Sequence, residues 1–245
     1  MNKVIAIAQI SVEKRDIVNN INKHIKFIKI AAEYKSNYII FPELSLTGYE
    51  LDFAKENAFD VFDTRLKPLI DICITYNITA IVGAPIKLKK GVVIGEFIIQ
   101  STGKVLIYSK KYLHEGESDL FIPGNLNPII IDDSEVISFA ICADTNNPIH
   151  SQNAYENNTS IYIASVLFSK SGYNSDAQKL KKIGMKYEMN VFLVNYSGKT
   201  GNYESAGLSG AWDSKGNLIG EIPDNNEGLL IVQKNDSFEW KSMRI

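Results

Sequence analysis

The sequence has few cysteines and histidines, and this scarcity removes support for several kinds of site. Its 245 residues include two cysteines, Cys73 and Cys142, and three histidines, His24, His114 and His150. Two cysteines are too few for a disulfide scaffold, and no CxxC or HExxH spacing points to zinc. Walker, GxGxxG and GxSxG motifs are also missing. Zinc-based, histidine-based and nucleotide-phosphate mechanisms therefore have no support in the sequence.

Strong net charge and long apolar runs are missing as well. The 26 Lys and Arg residues nearly balance the 28 Asp and Glu residues, for a formal net charge of −2. Such a chain has no electrostatic footprint for nucleic acid or an anionic membrane surface. No stretch reaches the roughly 20 apolar residues of a spanning helix, and the run over 4–10 is too short for a signal peptide. We expect a cytoplasmic protein with reduced thiols and no nucleic-acid or membrane partner.

The remaining composition is that of an ordinary globular protein. Hydrophobic residues make up 45% of the chain and charged residues 22%. A chain of this length buries roughly 70–75% of the surface that it exposes when unfolded, so it needs no metal or disulfide to fold. No linker, low-complexity stretch or short-period repeat marks a boundary. We expect a single domain over residues 1–245.

The hydrophobic periodicity predicts strands that alternate with helices and, later, hairpins. Apolar residues at spacings of three and four indicate helices, whereas short apolar runs bounded by turn residues indicate strands. Strands are predicted over 4–10, 38–41, 78–82, 136–141, 160–164 and 191–195, helices over 16–34, 66–76 and 175–189 and after Pro148, and hairpins over 91–108 and 206–222. The pattern is typical of a layered α/β protein with mixed sheets.

Two reactive side chains stand where an apolar strand ends. Glu43 follows YIIFP, and a partly buried carboxylate there would gain basicity, although a Glu in that position can also cap a surface turn. Cys142 follows VISFAI and precedes a polar turn, where backbone N–H groups could lower a thiol pKa and bind an oxyanion. A free cysteine can also simply pack in the core. Cys73, in the helical stripe LIDICI, is expected to do so.

A third segment brings two lysines and three acids together. Lys110 and Lys111 follow the predicted hairpin, and Glu115, Glu117 and Asp119 come soon afterwards. Such a stretch is usually a solvated loop held by weak ion pairs. Its functional interpretation is a cation delivered beside a thiol.

Taken in order, these segments resemble the nitrilase or carbon-nitrogen hydrolase superfamily. That family has a Glu after a strand, a Lys in a Tyr-Arg-Lys-x-His-Leu type segment and a Cys in an Ile-Cys-x-Asp type segment. Glu43 in FPELSLTGY, Lys110 in YSKKYL and Cys142 in ICAD match them. The similarity continues through LFIPG, IYIASVLFSKSGY, VFLVNYSG and AGLSGAWDSKGNLIGE, and so covers nearly the whole chain. Ser109 and Tyr112 replace the usual Arg and His, which leaves the triad intact but alters its surroundings.

The resemblance implies a four-layer α-β-β-α sandwich with two mixed β-sheets, and commonly a homodimer or higher homo-oligomer. It makes Glu43 the general base and acid, Lys110 the oxyanion stabiliser and Cys142 the nucleophile, with Glu117 rather than Glu115 as an auxiliary glutamate. The implied substrate contacts are the backbone N–H of Ala143, for the oxyanion, and the side chains of Tyr49, Ser165 and Phe168.

The activity implied is cofactor-free hydrolysis of a small non-peptide amide, such as an ω-amide or carbamoyl compound, through a cysteine thioester, with release of ammonia or an amine. Three alternatives remain open: nitrile hydrolysis, acyl transfer to a nucleophile other than water, and a catalytically silent binding protein with the same fold.

Overall fold

The computed structural model describes residues 3–133, 135–235 and 239–245, which form two large β-sheets, a two-stranded ribbon and five α-helices. The strands are β1 (Lys3–Gln9), β2 (Tyr38–Ile40), β3 (Thr79–Leu88), β4 (Gly91–Ile99), β5 (Val105–Ser109), β6 (Ile130–Asp132), β7 (Glu135–Ile141), β8 (Ile161–Ser165), β9 (Asn190–Val194), β10 (Lys199–Thr200), β11 (Tyr203–Glu204), β12 (Gly210–Trp212), β13 (Leu218–Glu221), β14 (Gly228–Lys234) and β15 (Trp240–Arg244). The helices are α1 (Ile17–Glu33), α2 (Leu51–Glu56), α3 (Lys67–Tyr76), α4 (Pro148–Glu156) and α5 (Tyr173–Tyr187), with 3₁₀ turns at Thr64–Leu66 and Cys142–Asn146.

Both large sheets are mixed. The first has the order β15-β14-β1-β2-β3-β4-β5, with β1, β2 and β3 parallel and the remaining pairs antiparallel. The second has the order β13-β12-β9-β8-β7-β6, with β7, β8 and β9 parallel. Strands β10 and β11 form a separate two-stranded ribbon.

Alternation along the central strands defines three apolar layers. In β1, Ala6 and Ala8 pack beneath α1 and α3, whereas Ile5 and Ile7 face the second sheet. The other side of the second sheet packs on α4 and α5 through residues such as Leu180. Because successive side chains of a strand point to opposite faces, each buried sheet has one face toward helices and one toward the other sheet. This arrangement is the predicted α-β-β-α sandwich.

Local sequence explains where the predicted helices begin and what they bury. Asp16 accepts a hydrogen bond from the backbone N–H of Asn19 at 3.0 Å and so caps α1. The buried face of α1 includes Ile21 and Ile28. In α3, Cys73 is fully buried, as its position in the helical stripe predicted.

The strands that the structure adds or lengthens, compared with the prediction, are mainly those that pair with distant parts of the chain. Strand β3 reaches Leu88 rather than ending at Val82, because it forms a long antiparallel pair with β4. The C-terminal strands β14 and β15 were not predicted. Strand β14 is held by antiparallel pairing with β1, more than 200 residues earlier in the chain. Such a pairing leaves little signal in the local sequence.

Strand direction brings three chain segments to one edge of the sandwich. Strand β5 is antiparallel to β4, which is antiparallel to β3, so β5 runs in the same direction as β2 and β3. The segments after β2 and β5 therefore leave the first sheet at the same edge, where they meet the segment after β7. Among the described residues, no helix is long and apolar enough to cross a membrane.

Gly83 in β3 allows the segment after β2 to lie against the sheet. A Cβ at this position would overlap the Pro42 carbonyl oxygen and the Leu44 backbone nitrogen, neither of which can rotate away. Leu46 donates its backbone N–H to the Gly83 carbonyl at 3.0 Å, which fixes the segment on the strand.

We expect Gly83→Ala to lower the free energy of unfolding by about 3 kcal/mol, because the new methyl group meets backbone on one side. Gly116→Ala is the control. Its φ is +84°, but its Cβ would meet nothing within 4 Å, so only the backbone preference of about 1 kcal/mol should be lost. Urea unfolding of both variants measures the difference, and equal losses would contradict this account of Gly83.

Candidate active site

Glu43 lies in the turn that follows β2, and its carboxylate is fully buried. Phe41 continues the sheet by donating its backbone N–H to the Ile81 carbonyl at 3.0 Å, after which the chain turns. The Tyr196 hydroxyl, from the segment after β9, donates to the Glu43 carbonyl oxygen. Both sheets therefore fix the backbone that presents this carboxylate.

Lys110 stands directly after β5 and is held by backbone bonds on both sides. Its N–H donates to the Ile94 carbonyl at 2.9 Å, and its carbonyl accepts the N–H of Gly124 at 2.7 Å. The ammonium Nζ donates to Glu43 Oε1 at 2.7 Å and to Glu117 Oε1 at 2.7 Å. All three side chains have no exposed surface.

Glu117, and not Glu115, is the second glutamate that the structure places against Lys110. Besides Lys110 Nζ, its carboxylate accepts the Tyr49 hydroxyl at 2.5 Å and the His114 backbone N–H at 2.7 Å. Glu115 is exposed at the surface. The bonds to Glu117 give this carboxylate a fixed orientation and fold the loop after Lys110 over the cluster.

Cys142 begins the 3₁₀ turn that follows β7, and its backbone has a φ of +41°. A positive φ at a non-glycine residue is a strained conformation that tends to occur at functional sites. The backbone N–H of Leu167, after β8, donates to the thiol. Ala143 is the next residue of the turn, and the first N–H groups of a helical turn have no partner within it, so this N–H is available to a ligand.

Asp144 joins the turn after Cys142 to the segment after Lys110. Its Oδ1 accepts the backbone N–H groups of Lys111 at 3.0 Å and Tyr112 at 2.9 Å. Its Oδ2 accepts the Tyr108 hydroxyl at 2.6 Å and the Ile141 N–H at 2.9 Å. Sequence reasoning assigned no role to Asp144, although it lies in the ICAD segment.

The charges in this cluster act on one another. Burial raises the pKa of Glu43 to about 7, although Lys110 opposes the shift. Burial also raises the pKa of Cys142, and the charge of Glu43 adds to this, while Lys110 and the Leu167 N–H act in the opposite direction. Burial lowers the pKa of Lys110, but the charges of Glu43, Cys142 and Glu117 outweigh it, so the net shift is upward. The amine therefore stays protonated.

A cavity of about 130 Å³ opens onto Cys142 and Glu43. It is lined by Glu43, Tyr49, His114, Cys142, Asn146, Leu167, Phe168, Ser169, Asp176 and Tyr203. Tyr49 and Phe168 of the predicted substrate contacts thus line it. Ser165 does not, because it ends β8 with its side chain fully buried, and the chain reaches the cavity only two residues later.

Glu96 is a buried acid beside this site that sequence reasoning missed. It pairs across the sheet with Gly83 and Tyr108, so its side chain projects between the sheets next to the Glu43 turn. Both of its carboxyl oxygens are buried. Burial raises the pKa of Glu96 to about 8, with a smaller opposing effect from Ser165. The feature of the sequence that could have revealed Glu96 is that it is the one charged residue in the apolar run VVIGEFII.

No group of three His, Cys, Asp or Glu side chains within the described ranges is arranged to hold a metal ion. The site built by these residues consists of a thiol, a lysine and two carboxylates. It can supply a nucleophile, a proton acceptor and hydrogen-bond donors.

Comparison with known proteins places the chain in a family. The sequence model of the carbon-nitrogen hydrolases matches residues 4–238. The protein therefore belongs to the carbon-nitrogen hydrolase family. A comparison with curated proteins finds no match.

Solved structures share the fold at low sequence identity. A glutamine-dependent NAD+ synthetase from Acinetobacter baumannii is 20% identical, with a TM-score of 0.88 over 98% of this chain. The chain spans only 47% of that synthetase. An amidase from Nesterenkonia sp. AN1 is also 20% identical, with a TM-score of 0.86 over 96% of this chain and 91% of its own. In that structure, of a mutant, the acetamide moiety of fluoroacetamide is covalently added at the active-site cysteine.

The raised pKa of Glu96 predicts how the free energy of unfolding depends on pH. In the unfolded chain this carboxyl loses its proton near its ordinary pKa, whereas the folded protein retains the proton to about pH 8. Between these values, rising pH removes a proton from the unfolded state only and so destabilises the fold. Gln resembles the protonated acid and does not titrate.

We therefore expect the unmodified protein to lose stability relative to Glu96→Gln as the pH rises. The difference between their free energies of unfolding should change by about 1 kcal/mol per pH unit between pH 5 and 8, in favour of the variant. Denaturant unfolding at pH 5.5 and 7.5 measures this change. Glu115→Gln, at an exposed position, is the control and should show no such change. A pH-independent difference for Glu96→Gln would contradict the assignment of a protonated acid.

Proposed function

We propose that the protein hydrolyses the amide of a short-chain carboxylic acid through a thioester on Cys142. The observation that carries this proposal is the state of the Glu43 carboxylate. Its Oε1 accepts a hydrogen bond from Lys110, whereas its Oε2 is buried without a partner among the described residues. Glu43 and Cys142 line the same cavity, so Oε2 is the natural acceptor for the thiol proton.

Acylation follows from these groups. Glu43 accepts the thiol proton as Cys142 Sγ attacks the amide carbonyl carbon, and the carbonyl electron pair moves onto oxygen. Neutralising Glu43 removes the negative charge that opposed the thiolate, while the charge of Lys110 remains to stabilise it. The Ala143 N–H and the Lys110 ammonium stabilise the oxyanion, and one well-placed donor of this kind contributes about 3 kcal/mol.

The same carboxyl group serves both halves of the reaction. Acylation is completed when the tetrahedral species collapses: the carbonyl re-forms, the carbon–nitrogen bond breaks, and Glu43 gives its proton to the departing nitrogen, so that ammonia leaves and the thioester remains on Cys142. Water then attacks the thioester while Glu43 accepts one of its protons. Breaking the carbon–sulfur bond releases the carboxylic acid, and the proton on Glu43 returns to Cys142. No cofactor takes part in this sequence.

The size of the cavity supports a small substrate. An engineered apolar cavity of about 150 Å³ is large enough to hold benzene, a molecule of six heavy atoms. The cavity of this protein is about 130 Å³. We accordingly propose an acyl group of about four carbons. Butyramide, which is bound in a structure of a mutant of the Nesterenkonia amidase, is a suitable first substrate.

The proposal also covers the domain organisation, cellular compartment and assembly of the protein. We propose one catalytic domain in the cytoplasm, assembled as a homodimer, without a nucleic-acid or membrane partner. Large apolar side chains on the outer helices support the dimer, since Ile149 and Tyr155 of α4 and Met185 of α5 are all at least half exposed.

The nucleophile is tested by comparing the two cysteines. We expect Cys142→Ala to release ammonia from butyramide at least 1,000-fold more slowly than the unmodified protein, because it has no thiol to form the acyl-enzyme. Cys73→Ala removes a thiol in α3 and should remain active. A continuous ammonia assay measures the rates of both variants, and equal rates for Cys142→Ala and the unmodified protein would contradict the proposal.

The same assay separates the related activities. Butyronitrile tests nitrile hydrolysis on the same acyl chain, and added hydroxylamine tests acyl transfer by forming a hydroxamate. We expect the amide to be turned over at least tenfold faster than the nitrile. A faster nitrile reaction would replace amide hydrolysis by nitrile hydrolysis as the proposed function.

The raised pKa of Glu43 predicts the pH dependence of the reaction. Below about pH 7 this carboxyl is protonated and cannot accept the thiol proton, so kcat/KM should fall about tenfold per pH unit. Lys110, whose pKa is raised, should cause no loss between pH 7 and 10. A profile of kcat/KM from pH 4 to 10 tests both limbs. An acidic limb centred near 4.5, the ordinary value for Glu, would rule out this account of Glu43.

A further inference from the structure

The charges that line the cavity limit which amides can enter it. Of the side chains that line it, Glu43 and Asp176 are carboxylates, and His114 is the only one that can become positive. Neither Lys nor Arg is among these lining residues. The nearby Lys110 is already bonded to Glu43 and Glu117. A substrate carboxylate would therefore lose its hydration without gaining a free cation.

Asp176 is the second acidic residue that lines the cavity, beside Glu43. It lies in the first turn of α5, and its side chain is only 24% exposed. Its Oδ1 accepts a hydrogen bond from Lys179 Nζ at 2.9 Å, and the same ammonium donates to Asn146 Oδ1 at 3.0 Å. Lys179 thus joins α5 to the 3₁₀ turn that begins at Cys142.

Lys179 does not cancel the effect of Asp176 on a bound molecule. It lines a different surface depression, with Lys182 and Lys186, rather than the cavity. Its side chain is 49% exposed, and an ion pair this exposed is weak because water competes for both charges. The Asp176 carboxylate is less exposed than the Lys179 ammonium, and charges interact more strongly where water is excluded, so a positive group inside the cavity would be attracted to it.

We propose that Asp176 determines charge specificity, so that the preferred substrate is a short amide with a positive group at its far end. A neutral amide of the same length reacts less well, and one that ends in a carboxylate is rejected. This inference rests on the proposed amide hydrolysis and adds to it the chemical class of the substrate.

Three short amides with different end groups test the inference. Butyramide is neutral, 3-aminopropanamide replaces its terminal methyl group by an ammonium, and malonamate ends in a carboxylate. The quantity to measure is the ratio of kcat/KM for 3-aminopropanamide to that for malonamate, at pH 7.5 and low ionic strength. A ratio within one variant cancels any difference in the amount of active enzyme between variants.

We expect the ratio to exceed 10 in the unmodified protein, and Asp176→Asn to lower it at least tenfold. Lys179→Ala removes the competing positive charge and should raise the ratio. Glu115→Gln, which removes an exposed carboxylate that does not line this cavity, is the control and should change the ratio less than threefold. Comparing ratios between variants also cancels the intrinsic reactivities of the amides.

Two failures can be told apart. Turnover of the amides with the same ratio in Asp176→Asn as in the unmodified protein would overturn the role of Asp176 and leave amide hydrolysis standing. A preference of the unmodified protein for malonamate would also overturn the role of Asp176. It would mean that the Lys179 ammonium reaches into the cavity and binds the substrate carboxylate. If no amide in the series released ammonia, the proposed function would fail and the inference with it.

Discussion

The ammonium of Lys110, buried between the carboxylates of Glu43 and Glu117, is the interaction on which the site depends. Oε1 of each glutamate lies 2.7 Å from Nζ, and none of the three side chains reaches solvent. Removing one partner from a buried charge group leaves the others uncompensated, at a cost of about 3–5 kcal/mol. The same contacts leave Glu43 with one oxygen committed to Lys110 and the other free to accept a proton. The stability of the site and the reactivity proposed for it therefore depend on the same arrangement of charges.

The fold supports this arrangement with backbone bonds from both sheets. Gly83 lets the Glu43 turn lie on β3, and Tyr196 reaches that turn from the second sheet. Asp144 fastens the chain after Lys110 to the turn after Cys142. Rigid elements thus hold the three reactive groups, whereas the cavity wall comes largely from segments outside the strands. Such segments can change without disturbing the charge cluster, so one fold can hold cavities of different shape beside the same charged groups.

The sequence predicted the layers of the fold and pointed to side chains that the structure brings together, Glu43, Lys110 and Cys142, but it predicted less of their surroundings. Buried strands and the face of α1 follow from local periodicity, and the ordered Glu, Lys and Cys segments pointed to the family. Strands β14 and β15 depend on pairing with distant parts of the chain, which local patterns do not reveal. Ser165 follows an apolar strand just as Cys142 does, yet the pleat directs it between the sheets. Asp176, in a polar helical stretch, has the sequence signature of an ordinary solvated residue.

The central claim is that the buried Lys110 cluster makes Cys142 an activated nucleophile. The most direct measurement is the rate of alkylation of each cysteine by iodoacetamide, itself a small amide, followed by peptide mass spectrometry on the folded protein across pH 5–9. The account predicts that Cys142 is modified faster than a model thiol at pH 7 despite its raised pKa, because Glu43 accepts the thiol proton as the sulfur attacks. The rate should rise through about pH 7 as Glu43 ionises, while the buried Cys73 stays unmodified. Modification of Cys142 no faster than the model thiol would contradict it.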